Sequence, residues 1–121
     1  MNLMIIGALA LLLVHVWLMP FIFSAQHTSW LLSARDEPVD FSVPTLRAKR
    51  AAANYMESLP AFLVLAVLAK IDGVDVSDLA MYWLASRVIY LGFYIAGTSV
   101  VRSLVWMASL AVLIAMAAAL L

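Results

Sequence analysis

The chain has 121 residues, 67% of them hydrophobic and only 12% charged, with a mean hydropathy of +1.08. Soluble domains run at about 45–50% apolar and about 25% charged, so this composition excludes a soluble monomer, and it lacks the polar, charge-rich make-up of a disordered chain. Seven basic residues balance seven acidic ones and there is no cysteine. That excludes the basic face that nucleic acid requires, and with it any disulfide, thiolate metal site or cysteine nucleophile. Thiol chemistry here would need a thiol brought by the substrate.

At about 20 apolar residues per span, four apolar blocks predict a single four-helix membrane domain over 1–121. The first block covers about 3–23, with Pro20 marking its end. It shows neither the basic n-region nor the small-residue cleavage site of a signal peptide, so it is expected to be retained as a span. Residues 24–45 form the only long polar stretch, holding Arg35-Asp36-Glu37-Pro38 and Pro44, and read as a loop. The second block covers about 46–71. A short acidic connection over 72–78 follows, where Ser77 or Asp78 is expected to cap the third helix. The third block covers about 79–97, a few residues around Gly97-Thr98-Ser99 turn the chain, and the fourth covers about 103–121. Short connections imply an up-down antiparallel bundle. Arg35, Arg47, Lys49 and Arg50 gather at the first loop and Arg102 beside the third. The positive-inside rule then puts both loops in the cytoplasm and the termini on the opposite side.

Ionisable groups inside a span are costly, about 2.5–3.5 kcal/mol each on insertion scales, so their spacing is informative. Arg47, Arg50, Asn54 and Glu57 follow at intervals of 3, 4 and 3 and form one helical stripe, which Lys49 leaves. Trp83, Arg87, Tyr90, Tyr94 and Gly97 form a second at 4, 3, 4 and 3. The plain reading is structural, with Arg50 and Glu57 pairing with neighbours to hold the bundle. Excess guanidinium over a single buried glutamate suits instead an anionic ligand with carboxylates. His15, alone on an apolar helix, reads as a bundle-facing hydrogen-bonding group, and His27 in the loop tells little. Pro60 is expected to kink the second helix. Trp17, Trp30, Trp83 and Trp106 fit interfacial belts, and Ala111, Ala115 and Ala119 form a small-residue packing face. No metal site is expected.

The run Arg47-Ala48-Lys49-Arg50-Ala51-Ala52-Ala53-Asn54-Tyr55-Met56-Glu57-Ser58-Leu59-Pro60 resembles the signature of the MAPEG family, membrane-associated proteins in eicosanoid and glutathione metabolism. Arg35-Asp36-Glu37-Pro38 and Arg102-Ser103-Leu104-Val105-Trp106 are similar to its bacterial branch, and the resemblance covers nearly the whole chain. It implies an all-α, four-transmembrane-helix antiparallel bundle that forms a homotrimer with sites between subunits, glutathione as co-substrate, and a lipophilic electrophile or lipid taken from the bilayer. It places the chain in a bacterial inner membrane. By the resemblance, Arg47, Arg50, Asn54, Glu57, Arg87, Tyr90 and Tyr94 bind glutathione, and Arg102, with Tyr94, stabilises its thiolate. Ala52 and Ser58 stand where some eukaryotic members have glutamine and tyrosine. The implied activity is transfer of glutathione to lipophilic electrophiles, or reduction of lipid hydroperoxides. The alternative is a non-catalytic lipid-binding or regulatory protein on the same fold, since the family includes one. A small drug/proton antiporter ranks last, because such transporters rest on a glutamate in the first span and this one has no acid there.

Overall fold

A computed structural model of the chain describes residues 1–19 and 43–121. Pro20, His27, Trp30 and Arg35-Asp36-Glu37-Pro38, read above from sequence, lie outside the described residues. Among those described, the chain is four helices and no strand. Helix α1 (Asn2–Leu13) runs on into a π-helical turn (Val14–Leu18), followed by α2 (Val43–Asp72), α3 (Ser77–Ala96) and α4 (Ser99–Leu120). The last three are each long and apolar enough to cross a membrane, while Asn2–Leu18 is apolar but shorter.

Three boundaries differ from the sequence expectation. Helix α2 starts at Val43, so Pro44 and the buried Thr45 sit in its first turn rather than in the loop. Proline suits that position because its fixed φ is already helical and its missing N–H would have had no partner there. Helix α4 starts at Ser99, which puts Arg102 in its first turn. The start of α3 is held by neither Ser77 nor Asp78 as a cap. The Ser77 backbone N–H donates to Asp75 Oδ1 at 3.0 Å, and the Ser77 hydroxyl and amide together hold the Asp75 carboxyl below the usual carboxylate range.

The core sits where α2 meets α1 and α3, closed by Leu113 and Met116 of α4. On α2 the buried residues are Thr45, Ala48, Ala51, Ala52, Tyr55, Leu59, Phe62, Ala66 and Ala69, a clean helical stripe. It is small at both ends and large in the middle. Small residues let backbones approach, which is what drives association where lipid removes the hydrophobic incentive. The large middle fills with rings: Phe62 stacks on Trp83 with centroids 4.1 Å apart and planes 8° from parallel, a pair worth about 0.5–1.5 kcal/mol beyond its area. Trp83 is therefore fully buried and no interfacial anchor, whereas Trp17 and Trp106 face outward. Helix α2 continues through Pro60. On α4, Ala111 and Ala119 are exposed and Ala115 half-buried, so the small-residue face points away from the chain's own core.

Candidate functional site

The π-helical turn of α1 brings His15 against α2. His15 is fully buried, and its Nδ1 lies 2.8 Å from the Leu11 carbonyl. A carbonyl only accepts, so Nδ1 carries the proton, as the bundle-facing reading expects. The imidazole lies flat on the Tyr55 ring, centroids 4.4 Å apart and planes 6° from parallel. The Tyr55 hydroxyl crosses to donate to the Ala8 carbonyl at 2.5 Å. Sequence reasoning did not single out Tyr55. Its one signal was its place in the buried stripe of α2, one position off the polar one.

Tyr55 also forms the floor under Arg87. The Arg87 side chain has no exposed surface. Its Nη2 donates to Asn54 Oδ1 at 2.7 Å, and its guanidinium carbon stands 4.4 Å from the Tyr90 ring centroid and 5.6 Å from that of Tyr55. Cation–π contact of this kind compensates part of the cost of a desolvated charge. Two of the guanidinium N–H groups stay idle: among the described residues, Arg87 Nε and Nη1 have no hydrogen-bond partner, nor has the Trp83 Nε1–H, nor His15 Nε2, an acceptor in this tautomer. A buried guanidinium with two unused donors is a strong candidate for an incoming carboxylate.

One helical turn further along, Tyr90 and Tyr94 meet edge to face at 5.5 Å, and Arg102 from the start of α4 lies over the Tyr94 ring at 4.5 Å. Asn54, Tyr90, Tyr94, Arg102, Ser103, Trp106 and Met107 line a cleft of about 340 Å³ at this junction of α2, α3 and α4. Its wall changes from polar groups to Trp106 and Met107. The Ser103 hydroxyl, which sequence reasoning quoted but assigned no role, donates back to the Ser99 carbonyl at 3.0 Å.

Of the sequence-derived set, Asn54, Arg87, Tyr90, Tyr94 and Arg102 come together here. Arg47 lies apart: its Nη1 donates to the Ile95 carbonyl at 3.1 Å. Arg50 and Glu57 are exposed, so the glutamate expected to be buried is not. The polar stripe of α2 straddles the edge of the buried face, with Arg47 and Asn54 half-buried and Arg50 and Glu57 turned outward.

A family model for the MAPEG family matches residues 2–121. The chain belongs to the MAPEG family. Membership fits the helices described above, since MAPEG is a four-helix membrane fold, and with three helices long enough to span a bilayer the chain is an integral membrane protein. Membership also supports a membrane function related to glutathione, of transferase or peroxidase type in general, although some members are non-catalytic. No curated protein and no solved structure matches the chain.

Proposed function

We propose that this MAPEG protein is a membrane glutathione transferase that activates the glutathione thiol for attack on lipophilic electrophiles or lipid hydroperoxides. The observation that carries this reading is the Arg102 guanidinium over Tyr94 in the wall of a cleft, with the buried Arg87, two of its nitrogens unpartnered, held against Asn54 and Tyr90 of the same wall. Glutathione has two carboxylates, one ammonium and a thiol, and the residues fit that charge pattern. Arg87 and Arg50 take carboxylates, Glu57 takes the ammonium, and Asn54 orients Arg87. Tyr90 and Tyr94 offer hydroxyl donors beside Arg102. The outward exposure of Arg50 and Glu57 supports a site completed against a neighbouring copy, as in a homotrimer.

A free thiol with pKa of about 8.5 is mostly protonated at neutral pH, and only the thiolate is nucleophilic. Each unit of lowering takes about 1.4 kcal/mol of preferential thiolate stabilisation, which a guanidinium in a partly dry cleft supplies without moving. In conjugation the thiolate sulfur forms a bond to the electrophilic carbon and the leaving group departs with the bonding electrons. In hydroperoxide reduction two glutathione thiols are oxidised to the disulfide, and the hydroperoxide becomes an alcohol and water. Trp106 and Met107 present an apolar wall to the lipophilic partner. We place the protein in a bacterial inner membrane with the Gly97 turn on the cytoplasmic side, where the basic residues gather.

The test is turnover of detergent-purified protein with glutathione and either a chlorodinitrobenzene-type electrophile or an organic hydroperoxide. Wild type is expected to turn over at least one class, and Arg102→Ala to lose about 10²–10³-fold, the usual effect of removing one preorganised donor. Glutathione binding without turnover on either class would favour the alternative, a non-catalytic lipid-binding or regulatory protein.

A further inference from the structure

Arg47 stands near the start of α2 and reaches across to the far end of α3. Its Nη1 bonds the Ile95 carbonyl at 3.1 Å, one of the last helical carbonyls, which have no donor within their own helix. Its guanidinium lies against Gly97. A β-carbon at Gly97 would come 2.9 Å from Cζ, Nη1 and Nη2 of Arg47. Gly97 is also left-handed, with φ +82°, and the turn it makes is closed by Thr98 N–H donating to the Phe93 carbonyl at 3.1 Å. Arg102 follows directly: its backbone N–H donates to the Thr98 carbonyl at 3.4 Å, and its side chain reaches back over Tyr94 at 4.5 Å. Arg47 therefore holds the turn on which Arg102 is mounted, and does so from a third helix.

We infer that Arg47 is a positioning residue that clamps the turn between α3 and α4 and so sets where Arg102 stands, rather than a contact to a ligand carboxylate. A cation at a helix C-terminus is favoured by the helix dipole. A planar guanidinium can bond a carbonyl while lying flat on a glycine, which a lysine ammonium cannot reproduce. The clamp itself rests on geometry. Its consequence for the thiol rests on the glutathione reading above.

The experiment compares Arg47→Ala, Arg47→Lys and Gly97→Ala with wild type, as full-length protein in detergent, through three readouts. These are the pH midpoint of thiolate absorbance for bound glutathione, affinity for S-methylglutathione, which has both carboxylates but no thiol, and deuterium uptake over residues 93–103. Arg47→Ala and Gly97→Ala are expected to raise the thiolate midpoint by about one unit toward the free value near 8.5. Both are also expected to speed uptake over 93–103 while S-methylglutathione affinity stays within about threefold. Arg47→Lys restores the charge but not the fork, and is expected to recover neither fully. The inference is overturned if Arg47→Ala weakens S-methylglutathione about tenfold or more with midpoint and uptake unchanged, because Arg47 is then a ligand contact. Should wild type give no thiolate signal, the glutathione reading has failed, and the clamp is decided by uptake alone: unchanged uptake in the variants overturns it, and faster uptake upholds it. If Arg47→Ala does not fold, Arg47→Lys and Gly97→Ala decide by the same readouts.

Discussion

The bundle has a glycine turn at each end, and the two are nearly the same backbone. Gly73 follows α2 at φ +70° and Gly97 follows α3 at φ +82°. After each, an amide reaches back five residues, Val74 to the Ala69 carbonyl at 2.9 Å and Thr98 to Phe93 at 3.1 Å. Their surroundings differ completely. Nothing lies within 4 Å of where a β-carbon at Gly73 would be, whereas at Gly97 the Arg47 guanidinium fills that space. The Gly73 end carries Asp72, Asp75 and Asp78, all exposed, and an exposed Lys70–Asn2 contact. The Gly97 end carries Arg47 and Arg102, bonded to backbone and ring, with Arg87 bonded to an amide deeper along α3. The charges of the Gly73 end are exposed and bonded only by local or surface polar groups, whereas Arg47 and Arg102 are held by backbone and ring, and only held charges can act on a ligand without first reorganising.

Substitutions at matched positions sharpen that contrast, and the largest effect belongs to Arg87. Arg87→Ala removes the buried guanidinium, leaving Asn54 unbonded and a hole beside Tyr55 and Tyr90. Glutathione affinity is expected to fall about 10²-fold, since hydrogen bonds to charged groups are worth about 1.5–3 kcal/mol each. Lys70→Ala at the opposite end is expected to change stability by no more than about 0.5 kcal/mol and binding not at all. Calorimetric titration of both variants would break the comparison if they lost affinity equally. The glycines come next. Gly73→Ala forces an L-residue into the left-handed region at a cost of about 1–2 kcal/mol. Gly97→Ala adds to the same strain an overpacking cost of about 1–3 kcal/mol against Arg47. Thermal unfolding in detergent should therefore rank Gly97→Ala clearly below Gly73→Ala, and equal losses would mean that Arg47 yields freely.

The smallest effect is at Asp75. Its carboxyl is held below the usual range by Ser77, so the charged form is favoured in the folded state. That contribution is present above the unfolded carboxylate pKa of about 3.9 and fades as pH falls through the lower folded value. Asp75→Ala is expected to be slightly less stable than wild type at neutral pH and to match it in strong acid. A gap that widens toward acid would reverse the sign.

Much of this was legible in the sequence, and the limit is rotational. Four apolar blocks near span length set the helices, and the spacing from Trp83 to Tyr94 placed that stripe on the inner face of α3, where Arg87 and Tyr90 are indeed buried. The spacing defines the stripe on α2 but not its angle to the core. A shift of one residue turns a helix by about 100°, which is enough to bury Tyr55 and leave Arg50 and Glu57 outside. The stacking of His15 on Tyr55 depends on the wider π-helical turn, for which an apolar block gives no sign. The Ser77 and Asp78 expectation misses the cap position, Val76, by one to two residues, and the Asp75 side chain reaches forward to the Ser77 amide, competing for the backbone where the helix begins. Pro44 punctuated the loop by composition, yet the first turn of a helix suits it as well.

The most direct test of the account is a glutathione titration of the detergent-purified protein, following thiolate absorbance in the ultraviolet at neutral pH, with Arg102→Ala beside wild type. The account expects a saturable thiolate signal in wild type that is lost in Arg102→Ala while glutathione still binds. No wild-type signal at millimolar glutathione, or an undiminished signal in Arg102→Ala, would contradict it.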